Sequence, residues 1–109
     1  MMNNFLFERI RADRDRIQQE KKEKIYAKGM AFIDPFLCHE WEECVAENSV
    51  KNLKVAYKVM VQLNKTPDLD KAVAALNRGL LLGADKDAVC DIVINFSDLG
   101  FYFENRVYG

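Results

Sequence analysis

The residues best able to do chemistry lie together between Cys38 and Cys44. This stretch contains thiol, imidazole and carboxylate groups, which are the ligands that zinc and other transition metals accept. On a helix, however, the two cysteines share one apolar face, whereas His39 points about 100° away from Cys38. One helix therefore cannot gather both thiols and the imidazole around one ion. We predict no metal site and no metal cofactor here.

Nucleophilic catalysis is the second chemistry that this stretch suggests. His39 is the only histidine, and it would need an orienting group, which the sequence does not identify, to activate Cys38 or Cys44. The chain also lacks a glycine-rich phosphate loop and a Gly-x-Ser-x-Gly motif. We therefore predict that the protein is not an enzyme and has no catalytic or cofactor-binding residues. A metal site or enzyme around Cys38, His39 and Glu43 is the third hypothesis for its function.

Charged residues in the same region predict a contact surface. Glu40, Glu43 and Glu47 recur at helical spacing and form one acidic face. Three lysines recur in the same way on the following helix, namely Lys51, Lys54 and Lys58. The two rows either pair across a helical hairpin or face water separately. A further alternative is that the acidic face steers a basic partner, and we take its three glutamates as candidate interface residues.

These residues are positioned by helices whose starts and ends are visible in the sequence. Asp34-Pro35 predicts the start of a second helix that runs to about residue 48, and Ser49 predicts the start of a third. Thr66-Pro67 opens a fourth helix that stops at Gly83. Asp85 caps a fifth. The tail over residues 101–108 fits either a helix or a short extended segment, and we favour the helix.

Residues 4–33 predict a long, charged first helix. They contain no proline, and residues 8–28 carry eight Lys or Arg against five Asp or Glu. Apolar residues concentrate at the two ends, so the middle prefers water and the ends need to be covered. Phe5, Leu6 and Ile10 either pack on the chain's own bundle or contact a groove of a neighbouring subunit. We take them as candidate interface residues, because a symmetric pair is the commonest oligomer.

Nucleic-acid binding is the alternative use of this helix. Its basic part is formed by Arg9, Arg11, Arg14, Arg16, Lys21, Lys22 and Lys24. Interleaved acids reduce the net charge of residues 8–28 to +3, and the formal charge of the whole chain is −1. This charge gives no general attraction for phosphates, so nucleic acid is not the partner we expect.

Composition sets the class of protein. The chain has 109 residues, of which 50% are hydrophobic and 30% charged, as expected for one globular domain. We predict an all-α compact bundle of about five helices, with residues 1–33 as an N-terminal helix or arm and 34–109 as the bundle. No run of about 18 apolar residues and no secretory signal are present, so we expect no membrane and a cytoplasmic location. An odd number of cysteines, three, predicts reduced thiols.

These patterns favour one function over two others. We predict a non-enzymatic helical protein-interaction or adaptor domain that forms a homodimer and binds protein through its first helix and its acidic face. A small regulatory nucleic-acid-binding protein that uses the basic part of the first helix is the alternative.

Overall fold

The structure confirms an all-α fold. It is a computed structural model that describes the backbone of residues 2–65 and 67–109 and the side chains of residues 14–65 and 67–109. These residues contain no β-strand. They form α1 (Met2–Met30), a 3-10 turn (Pro35–Leu37), α2 (Cys38–Glu47), α3 (Val50–Lys65), α4 (Leu69–Leu81), α5 (Lys86–Phe96) and α6 (Gly100–Tyr108). None of the helices in this described part combines the length and apolar character needed to cross a membrane.

Side-chain caps lie at the starts of the 3-10 turn, of α3 and of α5. The Asp34 carboxylate accepts a hydrogen bond from the Phe36 amide at 2.9 Å, and the Ser49 hydroxyl accepts one from the amide of residue 52 at 3.1 Å. Asp85 accepts from the amides of residues 87 and 88 at 2.9 and 3.2 Å. Side-chain oxygens thus satisfy amides that the first helical turn leaves unpaired. All three capping residues were predictable from residue type, but Asp34 caps the 3-10 turn. The second helix was predicted to start at Asp34-Pro35, whereas α2 begins at Cys38 and its N-cap residue, Leu37, provides no side-chain hydrogen bond.

The fourth helix begins later than predicted. The sequence predicts its start at Thr66-Pro67, but α4 begins at Leu69, and Asp68 caps it by accepting from the Lys71 amide at 3.1 Å. Thr66 itself lies outside the described residues. The later start follows from the ability of aspartate to cap as well as threonine or better.

Helix α3 lies at the centre and packs against α1, α4 and α5. Leu53, Ala56 and Met60 are fully buried on it. Helix α4 approaches α3 very closely at Gly79. A Cβ added there would lie 2.4 Å from a methyl group of Val55. Large side chains from the surrounding helices complete this single core, namely Trp41, Leu76, Val89, Val93 and Phe103.

The tail forms a sixth helix, so the prediction of about five helices is one too few for the described residues. Phe103 of α6 is fully buried, and Val107 packs against the core one turn later. A Cβ at Gly100 would lie 2.5 Å from the Val93 carbonyl oxygen, so glycine allows α6 to start directly against α5. Apolar residues four apart give α6 a buried face, which stabilises a helix.

Helix α1 is anchored through its C-terminal half. Ile25 is buried, and the indole N–H of Trp41 donates to the Tyr26 carbonyl at 3.1 Å. The Trp41 ring covers Gly29 so closely that an added Cβ would lie 2.4 Å from it. The Lys22 ammonium donates to the Ala46 carbonyl at 2.9 Å, near the end of α2. Upstream of this anchor, residues 14–18 are all exposed.

Candidate functional site

The potential metal ligands of α2 point to different places. The imidazole Nε2 of His39 lies 3.0 Å from a Glu43 carboxylate oxygen on the exposed surface. The Cys38 sulfur lies 4.0 Å from the Tyr26 hydroxyl, whereas the Cys44 sulfur accepts from the Asn48 amide at 3.5 Å. Among the described residues, no group of three His, Cys, Asp or Glu side chains is arranged to hold a metal ion. The imidazole and the two thiols of residues 38–44 therefore make separate contacts.

Burial favours the protonated thiol at two of the cysteines, Cys44 and Cys90. Burial raises the pKa of the Cys44 thiol to about 11, and the hydrogen bond from Asn48 only partly opposes this effect. Burial also raises the pKa of Cys90, which is almost fully enclosed in the core. All three cysteines are free of disulfides. Because the thiolate is the reactive form, Cys44 and Cys90 are weak nucleophiles at neutral pH.

The clearest concave surface lies between α2 and α5, and we call it the acidic groove. It encloses about 440 Å³. Buried or half-buried residues form its floor, namely Leu37, Cys44, Ile92 and Phe96. Exposed carboxylates form its rim, namely Glu40, Glu43, Glu47 and Asp91. The three predicted interface glutamates thus line one groove, together with an aspartate from a second helix.

The negative surface continues around α5. A neighbouring depression of about 540 Å³ shares Asp91 and adds Asp87, Glu104 and Tyr108. The Tyr108 hydroxyl donates to the Asp87 carboxylate, and this hydrogen bond is the main cause that raises the pKa of Tyr108. Of the described residues that line the two depressions, none is lysine or arginine. The rim carboxylates are therefore not neutralised by a basic residue in the lining.

Ion pairs between the second and third helices were one of the alternatives that the sequence left open, and the described residues do not form them. In the described part of the chain, no glutamate of α2 pairs with a lysine of α3. Helix α2 packs mainly on α1. Lys51 instead lies beside Gly83, where an added Cβ would be 3.0 Å from its ammonium nitrogen. Among the described residues, Glu40 and Glu47 therefore form no ion pair, whereas Glu43 contacts His39.

Helix α1 carries a complementary surface, whose cations the sequence analysis named without placing them on one face. Arg14, Ile17, Lys21 and Lys24 fall within about 80° of the helix circumference, and all four are exposed. We call these four residues the basic stripe. No acidic residue between positions 14 and 24 falls within the same arc. Mapping the spacing of three, four and three residues onto a helical wheel would have shown it.

Other predicted contact residues have mixed outcomes. Phe5, Leu6 and Ile10 lie outside the part of the chain whose side chains the structure describes. Of the tail aromatics, Phe103 is in the core, whereas Phe101 and Tyr102 are exposed. The sequence analysis did not single out three further exposed apolar side chains, namely Phe36, Leu81 and Leu82.

Comparison of the chain with known protein families, with characterised proteins and with solved structures finds no match. The acidic groove and the basic stripe are therefore the features of the molecule that bear on its function.

Proposed function

We propose that this protein is a non-enzymatic protein-interaction domain whose acidic groove binds a basic, amphipathic helical segment. The observation that carries this proposal is the apolar floor bordered by four exposed carboxylates from two helices. Such a domain is expected to act in the cytoplasm, where its thiols stay reduced.

The physical basis is recognition of a helix in a groove. Apolar side chains of the bound segment would cover the exposed parts of Leu37 and Phe96, which favours binding, whereas Ile92 below them is already buried. Lysines or arginines beside them would face the rim carboxylates and select basic segments while repelling acidic ones. The groove wall formed by α2 has ten residues, or about 15 Å, and so accommodates about three turns of a bound helix.

A designed peptide tests this function. The peptide has about four helical turns, with leucines at heptad spacing and lysines beside them, and a matched peptide has glutamate in place of each lysine. Added to ¹⁵N-labelled protein, the basic peptide should shift the side-chain amide signals of Asn48 and Asn95, which line the groove. Affinity should fall with added salt because the rim is exposed.

Matched variants locate the contact. Replacing Glu40, Glu43 and Glu47 with glutamine should weaken binding about tenfold, since three exposed charge pairs of about 0.5 kcal/mol each total about 1.5 kcal/mol. The control replaces three exposed acids of α1 with amides, Asp15→Asn, Glu20→Gln and Glu23→Gln, and should bind normally. Equal binding of both peptides, or equal effects of both triple variants, contradicts the proposal.

A charge-reversal variant of α1 tests the nucleic-acid alternative. Retardation of short DNA or RNA by the wild-type chain at low salt, lost in a Lys21→Glu/Lys24→Glu variant, would support that alternative in place of protein binding.

A further inference from the structure

We propose that the segment bound in the acidic groove is helix α1 of a second copy of this chain, so that two chains exchange α1 in a reciprocal dimer. This inference rests on the proposed function and identifies its partner.

Charge and shape on the two surfaces are complementary. The basic stripe presents three cations around Ile17, which is 45% exposed, and the groove presents four carboxylates around an apolar floor. From Arg14 to Lys24 the stripe is about 15 Å long, equal to the α2 wall of the groove. Ile17 would cover the floor near Ile92 while Lys21 and Lys24 face the rim.

The stripe cannot reach the groove of its own chain. Helix α1 is continuous over Met2–Met30, and its position is fixed by the contacts of Trp41 with Tyr26 and Gly29 and by the bond from Lys22 to Ala46. It packs on the face of α2 that carries Val45 and Ala46. The groove lies on the other face, with Glu43 and Glu47. A second chain must therefore provide the stripe.

A twofold pair satisfies both surfaces on both chains. Each copy offers one stripe and one groove, so a symmetric dimer forms the same contact twice and closes without further association. Association should consequently stop at two copies.

Charge reversal tests this arrangement. The stripe-reversed chain carries Lys21→Glu and Lys24→Glu, and the groove-reversed chain carries Glu43→Lys and Glu47→Lys. By sedimentation, wild type should have about twice the monomer mass of 12.6 kDa. Each reversed chain alone should dissociate with a constant at least about tenfold higher, because like charges then meet. An equimolar mixture should regain the dimer mass, since both contacts are again between opposite charges.

Controls separate the possible failures. Lys71→Glu with Arg78→Glu makes the same change of charge on α4, which packs against α3 and α6, and should leave the dimer intact. Helical circular dichroism verifies that each variant is folded. A wild-type chain of 12.6 kDa at all concentrations, or a mixture that stays monomeric, overturns the inference. If the dimer test fails but the stripe-reversed chain still binds the basic peptide, the proposed function survives. If that chain does not bind the peptide either, the proposed function and the dimer inference both fail.

Discussion

At the scale of single residues, Trp41 contacts both the anchored half of α1 and the floor of the acidic groove. Its ring is completely buried, contacts Gly29 of α1 and stacks edge-on against Phe96 with ring centroids 5.1 Å apart. Phe96 is also part of the floor of the acidic groove. The anchor of α1 and the groove floor are therefore in contact, so a change at Trp41 should disturb both.

Cys44 provides a residue-scale prediction about pH. Its pKa is raised to about 11 from a usual value of 9.0 by burial, so the folded state favours the protonated thiol. Cys44 should accordingly contribute stability below pH 9 and lose that contribution as the pH rises to about 11. Labelling by iodoacetamide, followed at each cysteine by mass spectrometry, should reach half its maximal rate near pH 11 at Cys44.

Unfolding the protein in denaturant is the control for this measurement. There the labelling midpoint of Cys44 should return to its usual value of about 9.0. A midpoint near 9.0 in the folded protein would show that the thiol is not enclosed as the structure describes.

At the scale of helices, local signals were readable from the sequence and tertiary pairings were not. Asp34 and Asp85 could be recognised as caps because a cap depends only on the next few residues. Val55 and Val59 of α3 are buried, but helical spacing in the sequence places them off the apolar stripe formed by Val50, Leu53, Tyr57, Met60 and Val61. They are buried because α3 packs on several helices, including α4 through Gly79. A search for one apolar stripe assumes that a helix buries only one face.

The acidic groove, too, could be predicted only in part from the sequence. The glutamates of α2 were identified as a contact surface, but Asp91, Ile92 and Phe96 were not associated with them. Ile92 and Phe96 read as core residues of the fifth helix, and only the packing of α5 beside α2 brings them to one groove. Spacing along one helix contains no information about which other helix lies beside it, so half of the site was not predictable.

The anchoring of α1 gives an element-scale prediction. In an isolated helix, replacing Gly29 with alanine should stabilise by about 0.5–1 kcal/mol. Here the new Cβ would lie 2.4 Å from the Trp41 ring, and such overpacking costs about 1–3 kcal/mol. Gly29→Ala should therefore lower the free energy of unfolding, measured by urea denaturation and circular dichroism.

A double variant is the matched control for this substitution. In a Trp41→Leu background the smaller side chain leaves room, so Gly29→Ala should become neutral or stabilising, and the two changes should be strongly non-additive. A stabilising effect of Gly29→Ala in the wild-type chain would mean that α1 is not packed on Trp41.

At the scale of the whole molecule, a net charge of −1 conceals two opposed surfaces. The groove and the depression beside it collect carboxylates from α2, α5 and α6, and the exposed cations of the stripe lie on α1. Opposite charges on separate faces of one chain favour association between copies and make it sensitive to salt. This polarity agrees with the sequence, in which residues 8–28 have a net charge of +3 and residues 34–48 contain five acids and no lysine or arginine.

The most direct test is a dilution series of the ¹⁵N-labelled wild-type chain followed by NMR. Backbone signals of the basic stripe and of the acidic groove should shift together, with one concentration dependence and with weaker shifts at high salt. Shifts confined to the exposed apolar residues Leu81 and Leu82 or Phe101 and Tyr102, or no shifts over the whole range, would contradict the assignment of the groove as the contact surface.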